Sequence, residues 1–198
     1  MWGLLSSCIS EDYSDCYNRY VVDLSYVGDG QTEIFPEKID MVQMSVFDNT
    51  GNCVCQTLLS EEEVARQSIM LPSLAEGDYR IVFLGNPYST STRDISLRST
   101  FSNLCFGADA YWSGEKVSGN DPLYFAALDQ TIAPFDSERQ ITYSTAHFAA
   151  SHYDISVDII GVPSAPKVVL TGVSPYTDFN NVATAAAEYE YELEAVYD

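Results

Sequence analysis

Near the amino terminus, four residues have the types and order that a lipid-attachment reaction requires. Leu5-Ser6-Ser7-Cys8 sets an apolar residue and two small ones ahead of a cysteine. This is the form of a bacterial lipobox. A transferase attaches diacylglycerol to the cysteine sulfur as a thioether. A peptidase whose site admits only small side chains beside the bond then cleaves just before that cysteine. Cys8 is therefore the expected lipid attachment site. Ahead of it stand only Met1, Trp2, Leu4 and Leu5 as apolar residues. A signal peptide needs an apolar run of about 7–15 residues, so the full precursor is expected to start further upstream. A chance L-S-S-C is the competing reading. The residues that follow, Ile9-Ser10-Glu11-Asp12-Tyr13-Ser14-Asp15, are polar and acidic, as suits a tether. No apolar run reaches the length of about 18 residues that a spanning helix needs, so any membrane link is the lipid. Each buried methylene contributes about 0.8 kcal/mol, and a triacylated cysteine holds three chains.

Other candidate chemistry is sparse. Besides Cys8 the chain holds Cys16, Cys53, Cys55 and Cys105. Cys53 and Cys55 are two apart in a strand-like run, which places them on one face. Their Cα atoms would lie about 7 Å apart, at the edge of disulfide reach. A lone Cys-x-Cys is also a poor zinc motif. Free buried thiols are the plain reading. A bridge from Cys16 is the other, with its partner open. His147 and His152 are five apart and would face opposite sides of one strand, as packing or surface residues. Asp48-x-Thr50-x-Asn52 opens like a calcium loop, but Leu59 stands where the bidentate glutamate is needed. None of G-x-S-x-G, H-E-x-x-H, GxxxxGK[ST] or GxGxxG occurs. No catalytic residue, metal ligand or cofactor site is assigned, and the expectation is a protein that is not an enzyme.

Composition narrows the class further. Of 198 residues, 9 are Lys or Arg and 29 are Asp or Glu, a formal net charge of −20. Such a surface repels phosphate at long range, which argues against nucleic acid as a partner. The 46% hydrophobic content is enough to bury a core, and the 13% aromatic content favours pleated, half-buried surfaces.

The elements that would hold these residues read mainly as strands. Tyr20 to Tyr26 alternates after its first pair, and Lys38 to Phe47 is followed by Asp48-Asn49-Thr50-Gly51 and then Cys53 to Leu58, a hairpin signal. Ser60 with Glu63 forms a capping box ahead of one or two helical turns through Arg66. Tyr79 to Asn86 is the clearest strand, apolar enough to be covered on both faces. Ile81 and Phe83 should take one face, Val82 and Leu84 the other. Leu97, Phe101, Leu104 and Cys105 fall on one helical face, which predicts a surface helix between Thr92 and Phe106. Strands are expected from Asp121 to Ala127, Arg139 to Ala149, Tyr153 to Ile160 and Lys167 to Gly172. Glu188 to Ala195 alternates glutamate with less polar residues, so it reads as a strand with one carboxylate face. Residues 1–19 form the signal remnant, lipobox and tether. A first β-domain with short helices covers 20–136, and a second, thin or incomplete, covers 137–198.

Several segments together carry a family likeness. They are the lipobox with Asp15-Cys16, Val22-x-Leu24-x-Tyr26, Val46 to Gly51 (V-F-D-N-T-G), Leu71 to Asn86, Asp121 to Ala126, and the V-V-L-T-G-V-S…D-F-N segment near the carboxyl end. The most specific part is G-D-Y-x-I-V-x-x-G-N, Gly77 to Asn86. In this order they resemble the FimB-like family of fimbrial anchor and subunit lipoproteins of the Bacteroidales. The acidic stretch after Cys8 is likewise similar to the segment that sends lipoproteins of Bacteroidota to the outer face of the outer membrane. The resemblance implies tandem transthyretin-like β-sandwich domains, a palmitate-bearing lipid anchor in the cell outer membrane, and fimbrial subunits as partners in a pilus. It also implies partner capture by β-strand complementation, a role in cell adhesion, and no cofactor. The chain is shorter than family members, which carry a full second domain. The rival reading is a surface-exposed module for glycans or other ligands, using aromatics such as Tyr111 and Trp112.

Overall fold

The apolar run from Tyr79 to Leu84 lies in the middle strand of the largest sheet. The computed structural model describes residues 18–28, 30–93, 100–117, 119–134, 140–161, 168–183 and 189–192. Along the chain these form β1 (Arg19–Ser25), α1 (Phe35–Lys38), β2 (Val42–Asp48), β3 (Cys53–Leu58), α2 (Glu61–Arg66), β4 (Ser68–Met70), β5 (Gly77–Gly85) and β6 (Thr90–Thr92). After them come β7 (Cys105–Ala108), α3 (Asp109–Trp112), β8 (Tyr124–Ile132), β9 (Ile141–His147), β10 (Ala149–Ala150), β11 (Val169–Val173), β12 (Tyr176–Asp178) and β13 (Tyr189–Glu192).

The fold is mainly β, a sandwich with a few short helices. Its central sheet runs β10-β8-β5-β2-β3, and each neighbouring pair is antiparallel. One face meets a sheet of order β4-β1-β9. Strand alternation sorts the side chains as the sequence predicts. Ile81 and Phe83 enter a core with Val22, Leu24, Ile69 and Ala146. Val82 and Leu84 enter a second core on the opposite face, with Leu104, Phe106 and Phe179. That second core is roofed by the sheet β12-β7-β6. Further along, Ala108 and Val117 bury Tyr191 of β13, which pairs antiparallel with β11. Of the carboxyl-terminal alternation from Glu188 to Ala195, Tyr189–Glu192 forms a strand in which Tyr191 is buried, and the rest lies outside the described residues.

β1 and β9 pair in parallel, from Arg19 opposite Ile141 to Ser25 opposite His147. β9 joins the sheet of β1, and β10 pairs with β8.

Three local expectations differ from the structure. In the described part of the helix expected between Thr92 and Phe106, Phe101–Asn103 makes one 3-10 turn and β7 begins at Cys105. The apolar spacing serves the second core instead, where Phe101 packs with Leu104 and Phe106. Leu97 lies outside the described residues. Cys53 and Cys55 take opposite faces, because a bulge sets Val46 opposite Cys55 but Phe47 opposite Cys53. Cys53 then joins Phe47 in the second core, and Cys55 packs against the first. Finally, Tyr153 to Ile160 forms no strand and stays exposed.

Candidate functional site

Cys8, Cys16 and the acidic tether lie outside the described residues, which begin at Asn18, one residue before β1. Among the described residues Cys53, Cys55 and Cys105 are free thiols. Burial pushes all three thiols up in pKa, which disfavours their thiolate forms.

The G-N end of the most specific motif is a structural junction. Asn86 holds φ +57° in the left-handed region. Its Nδ2 donates to Lys38 O at 2.7 Å and to Pro122 O at 3.4 Å. Its Oδ1 accepts from Asp40 N at 3.1 Å and Met41 N at 3.5 Å, and its own amide donates to Met41 O at 2.8 Å. One side chain so ties the end of β5 to the approaches of β2 and β8. A Cβ on Gly85 would come within 3.1 Å of both Ile39 and Tyr124, so only glycine admits their close packing. Nearby, the Tyr88 hydroxyl donates to Asp40. Burial, the Asp40 bond and the Asp40 and Asp121 charges push this phenol up to about 12.

Local carboxylates fix the loops that carry the strands. Asp48 Oδ1 accepts from Thr50 N, Thr50 Oγ1 and Asn52 N at 2.9, 2.6 and 3.0 Å. The Thr50 hydroxyl is the chief reason its carboxyl sits below the usual range. That oxygen is occupied by the turn itself, which explains the D-N-T-G pattern without a cation. Burial raises Glu33, but bonds from Ser25, Tyr26 N and Phe35 N outweigh it and hold the carboxyl low. Among the described residues no group of three or more His, Cys, Asp or Glu could hold a metal ion. His147 is exposed at the end of β9. The His152 ring nitrogen Nδ1 lies 2.8 Å from Leu123 O, with its ring edge-on to Tyr124.

The surfaces open to a partner are strand edges and one aromatic cluster. β3 ends the central sheet, and its sequence C-V-C-Q-T-L carries neither lysine nor proline to blunt the edge. β9 ends the β4-β1-β9 sheet with Ile141 and Tyr143 exposed. The aromatic cluster brings Tyr111 to 4.8 Å from Trp112 and 5.8 Å from Tyr176, centroid to centroid. Arg93 lies 5.5 Å over Trp112, and the hollow beside these residues measures about 520 Å³. Sequence reasoning named Tyr111 and Trp112 but missed Tyr176 and Arg93, which lie on other elements with no shared spacing. A larger cleft of about 560 Å³ runs beside the start of β1, lined by Tyr20, Met70, Leu71, Leu74 and Ile132 among others. No described helix is long and apolar enough to cross a membrane.

The described residues thus define a β-sandwich whose sheets end in open strand edges. The sequence profile described as fimbrillin-A associated anchor proteins Mfa1 and Mfa2 matches residues 13–198, and the chain belongs to that family. Solved structures share the fold. The fimbrial anchor protein Mfa2 from Porphyromonas gingivalis aligns with a TM-score of 0.62 at 14% identity, over 89% of this chain and 66% of that one. A candidate adhesin from Bacteroides ovatus aligns with a TM-score of 0.65 at 11% identity, over 89% and 61%. A structure described as candidate polysaccharide-binding proteins from Bacteroides thetaiotaomicron aligns with a TM-score of 0.62 at 12% identity, over 88% and 64%. The chain spans less than two thirds of the length of each of these structures. Comparison with curated protein sequences finds no match. The likeness to fimbrial anchor proteins drawn from Gly77 to Asn86 and its companion segments is borne out.

Proposed function

We propose that the protein is a surface lipoprotein of the outer membrane that anchors or forms part of a fimbrium. Membership of the fimbrial anchor family over residues 13–198 carries this reading. That family is one of structural proteins, not of enzymes. Cys8 would hold the lipid, and the stretch from Ile9 to Asp15 would span from the membrane to β1. Fimbrial subunits would be held by β-strand complementation. The open edges of β3 and β9 support this, since unpaired N–H and C=O groups accept an added strand. We further propose two β-sandwich units in tandem. The pairing of β9 with β1 and of β10 with β8 supports counting residues 141–150 with the first. Mass spectrometry of the mature amino terminus from the full precursor tests the anchor. A diacylated or triacylated Cys8 is expected, and release of the Cys8→Ala protein from the membrane should free its fimbrial partners with it. An unmodified Cys8 thiol, or a mature chain retaining Leu5, would overturn the anchor.

One observation favours a second reading, surface glycan binding. Tyr111, Trp112 and Tyr176 meet, and the Arg93 guanidinium lies over Trp112, a polar and aromatic combination suited to a sugar face. A glycan module should bind soluble sugars without any pilin, and Trp112→Ala should abolish that binding.

A further inference from the structure

We infer that the turn at residues 178–182 is a latch, with Phe179 as its plug, that holds the carboxyl-terminal strands on the amino-terminal sandwich. The inference does not depend on what the protein binds. A turn of sequence D-F-N-N-V is expected to lie in water, and its polar residues do build it. Asp178 Oδ1 accepts from Asn180 N and Val182 N, each at 2.9 Å. Asn181 holds φ +60°, and its amide donates to Asp178 O at 3.1 Å. The turn is therefore closed by its own bonds, and none of them needs the Phe179 side chain. Yet Phe179 is 1% exposed. Its ring lies 5.7, 6.0 and 6.0 Å from those of Phe47, Phe101 and Phe106, edge-on to each. Among the described residues it is the only one beyond residue 150 that enters either of the two large cores.

What Phe179 joins is far apart in the chain. Phe47 is on β2, Phe106 is on β7, and Phe101 is in the 3-10 turn ahead of it. The pairing of β12 with β7 spans only Tyr176 to Asp178. A pairing so short opens readily unless buried side chains hold it. A polar clasp lies beside the plug, where Ser151 Oγ donates to Asn181 Oδ1 at 2.5 Å. Ser151 is itself fixed to the approach of β8, since its amide donates to Leu123 O at 2.7 Å. Tyr191 of β13 also meets Ala108 and Val117, but that cluster holds three buried residues where the second core holds nine. Phe179 is thus the main tie. It also assembles the aromatic cluster: Tyr176, three residues earlier, lies 5.4 Å from Trp112 while β12 is docked. With the plug withdrawn, β12 leaves β7 and takes Tyr176 with it.

The test follows amide exchange along the whole chain, wild type against Phe179→Asp. An unpaired carboxylate cannot enter the apolar second core, so this variant keeps the plug out. The amides of β11 and β12 should then exchange within about tenfold of an unstructured peptide, while those of β5 and β8 stay protected at least about a thousandfold. Phe179→Leu keeps an apolar plug and should leave β12 at least about a hundredfold better protected than Phe179→Asp does. Continued protection of β12 in Phe179→Asp would overturn the proposal, since the strand then holds without the plug. Loss of protection at β5 together with β12 would do the same, because Phe179 would then be a core residue of one indivisible sandwich. Equal loss in the leucine and aspartate variants would show that the turn was damaged rather than unplugged, again against the latch. The unaltered chain gives a further measurement. Withdrawal of Phe179 exposes apolar surface, so exchange at β12 should accelerate with urea. Exchange there that is indifferent to urea is the fraying of a short strand, and the latch falls.

Discussion

Asn86 offers its side-chain Oδ1 to the amide of Asp40, 3.1 Å away and 46 residues earlier in the chain. The bond substitutes for a strand partner where the chain turns out of α1 into β2. Its other side-chain contacts reach Lys38 O and Pro122 O. Replacing Asn86 separates two effects. Asn86→Gly keeps the left-handed φ but leaves part-buried backbone groups without their side-chain partner, at about 1 kcal/mol for each bond lost. Asn86→Ala should lose about 1 kcal/mol more, because alanine resists that φ. Urea unfolding of the two variants checks both the loss and its order.

Phe83 is fully buried on the middle strand, tilted against Phe148 at 6.2 Å. Phe83→Ala should cost about 3–5 kcal/mol through loss of burial and the cavity left. The urea midpoint should fall with little change in slope. A loss under about 1 kcal/mol would contradict its place in the core.

Much of this arrangement was readable from residue order, and the reason is local. β5 announced itself because a strand covered on both faces has no polar phase, so Ile81 to Leu84 runs apolar without a break. The capping box was readable because all its parts lie within four residues. The hairpin was readable because Asp48, Thr50 and Asn52 satisfy one another. What stayed hidden depends on distant chain. No local pattern tells β1 that its parallel neighbour is β9, more than a hundred residues away. The alternation at Tyr153 to Ile160 correctly gives a strand period, but a period states which face a residue would take, not whether a partner exists. The bulge at Val54 likewise depends on β2, so it turned Cys53 and Cys55 apart without a signal in their spacing. Of the candidate site, the aromatics of α3 were legible, whereas Tyr176 and Arg93 reach them only through the folded sheet.

The capping box of α2 carries a pH signature. The Ser60 hydroxyl donates to Glu63 Oε2 at 2.7 Å, and Ser60 N donates to the same oxygen at 2.8 Å. The Ser60 hydroxyl bond is the main cause of a Glu63 carboxyl held below its ordinary 4.5. A folded-state pKa below the unfolded one gives stability that is complete above 4.5 and lost as pH falls through the folded value. Ser60→Ala should cost about 1 kcal/mol at neutral pH. The gap to wild type should narrow in acid, where the carboxylate has gone. Paired denaturation curves at neutral and acid pH measure it.

Gly107 admits no side chain. A Cβ there would lie 2.9 Å from Pro175 O, 3.0 Å from Tyr176 Cβ and 3.1 Å from the Trp112 ring. Gly107→Ala should push β12 and Trp112 away from β7, at about 1–3 kcal/mol for overpacking. Trp112 fluorescence should shift towards its exposed value. An unchanged spectrum and midpoint would show that Trp112 does not rest on this glycine.

The parallel pairing of β1 with β9 has a mechanical consequence. Both strands start at the same end, with Arg19 opposite Ile141 and Ser25 opposite His147. A pull applied ahead of β1 and resisted beyond β9 therefore drags the two strands past each other along their length. The load falls on all the paired residues together, in shear, rather than opening them one at a time like a zipper. A chain tethered ahead of Arg19 and loaded from beyond His147 would hold at this seam, and its lifetime under tension would be set by the rate at which that one register slips.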